Sequence, residues 1–90
     1  MNSINAELLS RLPLTEIDRV TFYKRDEITT DLICCAVEIR GGTWTFPEEL
    51  DGWELLLRHL EELPRFRSDW FSAVSQPPFP PSETVAFSRV

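Results

Sequence analysis

Few side chains in this sequence could carry out nucleophilic chemistry, because the chain holds one histidine and two adjacent cysteines. A Ser-His-Asp or Cys-His arrangement would have to use His59, since there is no second imidazole. His59 falls beside Leu63 at the edge of an apolar stripe with helical spacing, a position typical of a structural histidine. We therefore predict no catalytic residue and no enzymatic activity.

Cys34 and Cys35 lie inside an apolar run typical of a strand. Neighbouring strand residues point to opposite faces, so a disulfide between these two would distort the strand pairing. A metal centre would need further ligands, and the acidic residues near mid-chain lack the spacing of a calcium loop. Those residues are Glu48, Glu49, Asp51 and Glu54. We predict no metal, no cofactor, and the reduced cysteines typical of the cytoplasm.

The candidate binding site is a patch of mixed charge formed by Tyr23, Lys24, Arg25, Asp26 and Asp31. The pattern places this patch at the end of a strand and in the following connection, where recognition residues are often found. The alternative is a solvated hairpin tip whose charges pair with one another.

The length and charge of the chain exclude several classes of protein. Ninety residues predict a single domain over residues 1–90. Fifteen acidic residues against nine basic ones give a net charge of -6, which opposes binding to nucleic acid and to anionic membranes. The sequence has neither the pattern of a signal peptide nor an apolar stretch of membrane-spanning length. We therefore expect a soluble, cytoplasmic protein with no nucleic-acid or membrane partner.

Apolar residues alternate up to Phe46, which predicts three strands over residues 17–25, 31–40 and 43–46. Residues 26–30 form the first connection. We expect Gly41 and Gly42 to form the second turn, because glycine readily takes positive φ angles. Short connections of this kind predict an antiparallel meander.

From Asp51 the apolar spacing changes to three or four residues, which predicts the main helix over residues 51–63. Asp51 is the expected N-cap, and Glu54 completes a variant of the capping box. Pro64 ends the helix. The predicted buried stripe consists of Trp53, Leu56, Leu57, Leu60 and Leu63.

The remaining segments predict smaller elements. Residues 1–13 form an N-terminal helix or a mobile arm, and residues 76–82 form a proline-rich connector. A short helix over residues 68–74 is expected to bury Trp70, Phe71 and Val74, and a closing strand over residues 84–89 to turn Val85 and Phe87 inward.

Together these elements predict an α+β fold, in which an antiparallel sheet of about four strands carries the main helix on one face. The pattern does not determine the strand order. Leu32, Cys34 and Ala36 are apolar but lie on the face of the second strand opposite the helix. We expect the N-terminal segment or a partner to cover them.

Several short motifs resemble, in the same order, a group of small bacterial proteins without an assigned activity. These motifs are Tyr23-Lys24-Arg25-Asp26, Asp31-Leu32, Gly52-Trp53, Leu63-Pro64, Asp69-Trp70-Phe71, Pro78-Phe79 and Thr84-Val85. The resemblance covers most of the chain after Val20 and implies a bacterial, cytoplasmic, stand-alone domain. It transfers no catalytic residue, but it favours a role for the charges between Tyr23 and Asp31.

The function that these observations favour is a non-catalytic module that binds a protein partner or forms a homodimer. Its surface would be either the charged Tyr23 to Asp31 patch or the apolar second face of the central strand. The alternative is an immunity- or antitoxin-like protein that neutralises a basic partner, as suggested by the small size and acidic charge. The sequence does not indicate a small-molecule ligand.

Overall fold

The protein contains an antiparallel sheet with α-helices on one face, in a computed structural model that describes residues 3–26, 31–75 and 83–89. The strands are β1 Ile17–Asp26, β2 Asp31–Ile39, β3 Gly42–Pro47 and β4 Glu83–Ser88. The helices are α1 Ala6–Ser10, α2 Trp53–Leu60 and α3 Trp70–Ser75. The four strands are ordered β3-β2-β1-β4, so β3 and β4 form the two edges of the sheet. The predicted α+β fold with a short N-terminal helix is confirmed.

The core lies between the sheet and the helices, with Phe22 of β1 near its centre. The Phe22 ring is fully buried and stacks on Trp70 of α3, with ring centroids 3.9 Å apart. The rings of Trp53 and Phe66 lie nearly perpendicular to the Phe22 ring, and each ring centroid is 6.3 Å from that of Phe22. The predicted helix stripe also packs here, because Leu56, Leu60 and Leu63 are buried and Trp53 and Leu57 are half-buried.

The start of α2 differs from the prediction that Asp51 and Glu54 cap it. Gly52 is the N-cap, in a left-handed conformation with φ of 89°, and no side chain caps the helix. The backbone of Asp51 instead pairs with the N-terminal segment, where the Ile4 N–H donates to the Asp51 carbonyl at 2.8 Å. The helix also ends at Leu60, three residues earlier than predicted, although Leu63 remains buried.

The turn between β2 and β3 is shifted by one residue from the predicted Gly41-Gly42 pair. Ile39 and Gly42 are paired, so the two turn residues are Arg40 and Gly41. Both have positive φ, 52° and 80°, as a type I′ turn requires. Gly42 therefore belongs to β3, and the positive φ angle at Arg40 was not expected from residue type.

Two inward positions near the C-terminus were predicted wrongly. Val85 is 47% exposed, whereas Ala86 and Phe87 are both buried. The reason is a register shift between β1 and β4, which places one extra residue on β4 and breaks the alternation. Phe71 is 57% exposed, because α3 turns only Trp70 and Val74 toward the core.

The N-terminal helix is held by its own cap and by the core. The Leu8 N–H donates to Asn5 Oδ1 at 2.9 Å, while Ile4 and Leu12 are buried in the main cluster. His59 Nε2 lies 2.7 Å from the Leu12 carbonyl and must donate, because a carbonyl only accepts. Of the other predicted segments, the proline-rich connector over 76–82 and most of the first hairpin connection, over 27–30, lie outside the described residues.

Candidate functional site

The outer side of β3 presents backbone groups that have no neighbouring strand. Ile39 and Gly42 close a two-residue turn and are therefore a hydrogen-bonded pair, and such pairs alternate along an antiparallel ladder. It follows that Trp44 and Phe46 bond to β2, whereas the N–H and C=O groups of Thr43 and Thr45 point away from the sheet. Both threonines are exposed. We call this row, from Thr43 to Pro47, the β3 edge.

Within the described residues, which are 3–26, 31–75 and 83–89, no turn or loop forms a backbone hydrogen bond with Thr43 or Thr45. Pro47 has no N–H, and its carbonyl already accepts from the Leu50 N–H at 3.1 Å. The β3 edge therefore offers two donors and two acceptors in a regular row, which is the arrangement that an added strand requires.

An apolar groove lies beside the β3 edge on the helix side of the sheet. Its volume is about 480 Å³. Trp44 and Phe46 form its floor, with rings nearly parallel at 19° and centroids 6.2 Å apart. The remaining lining comes from the N-terminal segment and the residues around β3: Ser3, Ile4, Leu8, Thr45, Pro47 and Leu50. We call this cavity the edge groove.

The wall formed by the N-terminal segment is fixed by a close backbone contact with the start of α2. A Cβ atom at Gly52 would lie 2.1 Å from the Ile4 carbonyl oxygen, so only glycine allows this approach. Together with the hydrogen bond from Ile4 to Asp51, this contact places Ile4 and Leu8 opposite Trp44. The edge groove is therefore a preformed feature of the fold.

The two ends of the edge groove differ in charge. At the Gly42 end, Arg11 and Arg40 line an adjoining cavity together with Trp44, and Arg40 pairs with Glu16. Just after Pro47 the chain carries Glu48 and Glu49, followed by Asp51. The Glu48 carboxylate accepts from the Ile33 N–H at 3.2 Å. The Gly42 end thus carries two arginines, of which Arg40 is already paired within the chain, whereas the Pro47 end carries carboxylates.

The structure divides the predicted patch of mixed charge between the two faces of the sheet. Lys24 is 9% exposed and lies on the helix side, because its pairing partner Ile33 faces the core. Tyr23 and Arg25 lie on the opposite, helix-free face. Asp26 and Asp31 pair with each other at the end of the β1–β2 hairpin. The binding role of these five residues stays a prediction.

The helix-free face is closed around Cys34 by its own neighbours. Cys34 is fully buried although it is not part of the main core cluster. Tyr23 lies opposite it on β1 and hydrogen-bonds to both the Cys34 and Thr45 side chains. Partial burial, followed by the interaction with Cys34, raises the pKa of Tyr23. No separate covering element is needed over this cysteine.

Cys35 points into the core on the other side, so the two cysteines lie on opposite faces as predicted, and both are free. Burial, with a smaller contribution from Cys34, raises the pKa of Cys35 well above its usual range. A thiol that is buried and neutral is a poor nucleophile.

No family model matches the sequence, and comparison with curated proteins and with solved structures gives no significant similarity. The resemblance to small bacterial proteins therefore stays a prediction. Within the described residues, no three His, Cys, Asp or Glu side chains group so as to hold a metal ion. None of the described helices has the length and apolar character needed to cross a membrane.

The sequence reasoning did not find the β3 edge as a site, because it depends on the strand order. One signal was present, since proline in a strand is typical of an edge. Pro47, at the end of β3, could therefore have marked this strand as the edge.

Proposed function

We propose that this protein is a non-catalytic binding module that takes up an extended segment of a protein partner along the β3 edge. The observation that carries this proposal is the row of outward Thr43 and Thr45 backbone groups directly beside a preformed apolar groove. In strand addition, backbone hydrogen bonds supply affinity, and pockets for alternate side chains supply specificity. We assign the protein to the cytoplasm, in keeping with its two free, buried cysteines.

The β3 edge is a better candidate than the two surfaces that the sequence suggested. In the patch of mixed charge, the Lys24 side chain lies on the opposite face of the sheet from Tyr23 and Arg25, so these three do not form one surface. On the helix-free face, the apolar Leu32 and Cys34 are already buried within the chain, and they lie among threonine, tyrosine and charged side chains. The β3 edge combines unpaired backbone groups with a cavity lined by two aromatic rings, those of Trp44 and Phe46.

An immunity-like protein that neutralises a basic partner is the second proposal. It is supported by the net charge of -6 and by the acidic end of the edge groove, formed by Glu48, Glu49 and Asp51. A toxin-like reading frame beside the gene would support it, and a conserved neighbourhood without one would contradict it.

The test of strand addition uses a random-peptide display library selected on the immobilised full chain. Thr43→Pro removes one outward N–H without touching the bonds to β2, and the matched control Thr43→Ala keeps that N–H. Selected peptides should bind the Thr43→Pro variant about tenfold more weakly or worse, and the control normally. In NMR spectra they should shift the amide signals of Thr43 and Thr45.

Two results would contradict the proposal. One is peptides that bind the wild type and Thr43→Pro equally well. The other is binding that shifts only signals of the helix-free face, such as Tyr23 and Arg25. Circular dichroism and urea unfolding of both variants establish that the fold is retained.

A further inference from the structure

We propose that the strand taken up at the β3 edge is β3 of a second copy of this chain, so that two sheets join into one of eight strands around a two-fold axis. This inference rests on the proposed function, because it uses the same edge. It names the partner and fixes the register, with Trp44 facing its counterpart across the axis.

The register follows from which backbone groups point outward. In an antiparallel pair about a two-fold axis, Thr43 of one copy can lie opposite Thr45 of the other, and Thr45 opposite Thr43. This arrangement forms four hydrogen bonds and satisfies every outward group of both threonines.

The neighbouring registers are worse. Centring the pair on Thr45 places Thr43 opposite Pro47 of the second copy, which has no N–H to donate. Centring it on Thr43 places Thr45 opposite Gly41, which lies in the turn with φ of 80° and is not extended. The pair centred on Trp44 is therefore the preferred one.

The side chains fit the same register. Trp44 lies in a non-hydrogen-bonded position relative to the second copy, where opposite Cα atoms approach to about 4.5 Å and side chains contact closely. It is only half-buried in the single chain and lines the edge groove, so its remaining surface is available to its counterpart. A cross-strand pair of aromatic rings is among the favourable ones.

Charge also favours a second copy in this orientation. An antiparallel pair brings Arg11, beside Trp44 at the Gly42 end of one β3, toward the acidic end of the other, near Glu48 and Glu49. The contact occurs twice because of the symmetry. This local complementarity opposes the repulsion between two chains that each carry a net charge of -6.

Sedimentation equilibrium of the full chain over a range of concentrations tests the association. We expect reversible dimers for the wild type and for Thr43→Ala, and a dissociation constant raised about tenfold or more for Thr43→Pro. A chain that stays monomeric, yet binds selected peptides at the β3 edge, would overturn the dimer and leave the proposed function standing. Dimers that persist unchanged in Thr43→Pro would overturn the dimer inference, whereas the peptide experiment decides the proposed function separately.

A charge exchange tests the orientation. Arg11→Glu and Glu49→Arg should each weaken their own homodimer by several fold, because each creates two like-charge contacts. An equimolar mixture of the two variants should associate more tightly than either alone, since both contacts are then of opposite charge. A mixture no tighter than the separate variants would overturn the antiparallel arrangement.

Disulfide cross-linking tests the register. Trp44→Cys places identical residues opposite each other at a Cα separation suited to a disulfide, so this variant should cross-link to itself on oxidation. Thr45→Cys is the matched control and should not, because it lies opposite Thr43. The native Cys34 and Cys35 are buried and do not compete. Self-cross-linking of Thr45→Cys but not of Trp44→Cys would overturn the proposed register.

Discussion

The two edges of the sheet are protected in different ways. At β4, the chain covers part of its own edge, because the Arg67 N–H donates to the Ala86 carbonyl at 2.8 Å and the register shift distorts the strand. At β3, the strand is regular, and no described segment pairs with its outer groups. A bulge and a covering loop are common means of preventing edge-to-edge association. This difference makes β3, rather than β4, the edge that suits the proposed strand addition.

The residue directly after β4, Arg89, holds this strand to the rest of the chain. The Arg89 side chain reaches back across the end of β1, where its guanidinium donates to the carbonyls of Ile17 and Leu14 at distances of 2.6 to 2.9 Å. The same guanidinium lies 5.4 Å from the centroid of the Phe87 ring. These contacts hold β4 to the rest of the chain, so stability should be concentrated on this side.

The largest effect is expected from Trp70→Ala. Trp70 stacks on Phe22 and holds α3, and with it the connection that closes β4, against the sheet. Removing a buried aromatic ring costs about 3–5 kcal/mol of unfolding free energy. Urea unfolding measures this loss, and hydrogen exchange should show greater loss of protection in β4 than in β3.

Phe71→Ala is the control on the same helix, because Phe71 is 57% exposed. It should change stability by no more than about 0.5 kcal/mol. If Trp70→Ala lowers the protection of β3 and β4 amides from hydrogen exchange equally, α3 does not stabilise the β4 edge more than the β3 edge.

The second effect concerns the wall of the edge groove. Gly52→Ala forces a Cβ against the Ile4 carbonyl, at 2.1 Å, in a residue with φ of 89°. The strained backbone alone costs about 1–3 kcal/mol, and relief of the clash must move Ile4, which lines the edge groove, away from residue 52. We expect lower stability by urea unfolding and faster exchange of the Ile4 amide.

Gly41→Ala separates strain from contact, because Gly41 also has positive φ, 80°, but nothing lies within 4 Å of its added Cβ. This variant should be the less destabilised of the two and should keep the Ile4 amide protected. If Gly41→Ala and Gly52→Ala are equally destabilised and protect Ile4 equally, the groove wall is not held by this contact.

The sequence predicted the elements better than their arrangement, and the reasons are physical. Period-two and period-3.6 patterns depend on local burial, so they located the strands and the Leu56 and Leu60 face of α2. The capping role given to Asp51 was wrong because a tertiary contact, the pairing with Ile4, overrides a local propensity. The inward position given to Val85 was wrong because alternation cannot anticipate a bulge.

The candidate site was harder to predict, because it depends on strand order. Thr43 and Thr45 are ordinary strand residues in the sequence, and only the position of β3 at an edge leaves their backbone groups without a neighbour. The sequence instead favoured the patch of mixed charge, in which Tyr23 and Lys24 are adjacent in the chain. Adjacent strand residues point to opposite faces, however, so they do not share a surface.

A third effect links the β3 edge to the interior strands through Tyr23. It is the only tyrosine, so the ultraviolet absorbance of its phenolate reports one group. The raised pKa of Tyr23 means that the folded state keeps its proton more tightly than the unfolded chain does. The contribution of Tyr23 to the free energy of unfolding should therefore be fully present below about pH 10 and should be lost as the pH rises through the higher folded pKa.

The two hydrogen-bond neighbours should shift the pKa of Tyr23 in opposite directions. Cys34→Ala should lower this pKa, because Cys34 disfavours the phenolate. Thr45→Ala should raise the pKa further, because the Thr45 hydroxyl stabilises the phenolate. Shifts of the same sign in both variants would show that Tyr23 is not the group that joins the β3 edge to β1.

The smallest effect is expected at the connection that closes β4. The Arg67 guanidinium lies 2.7 Å from the Asp69 carboxylate, and this hydrogen bond lowers the pKa of Asp69. Its contribution to stability is present above the unfolded pKa of about 3.9 and is lost as the pH falls through the lower folded value. Both side chains are exposed and their interaction is screened by salt, so this ion pair should change the free energy of unfolding by an amount near the limit of measurement. NMR titration of Arg67→Gln should show the pKa of Asp69 returning to its usual range.

The same variant decides what closes the β4 edge. If the backbone hydrogen bond from Arg67 to Ala86 is the seal, Arg67→Gln should keep this amide protected from exchange although the ion pair is gone. Arg19→Gln, which removes a longer surface pair with Glu38 at 3.9 Å, is the control and should leave both readouts unchanged. Loss of amide protection in Arg67→Gln alone would instead assign the closure to the ion pair. The β4 edge should then open at low pH, and the contrast with the β3 edge would hold only where Asp69 is ionised.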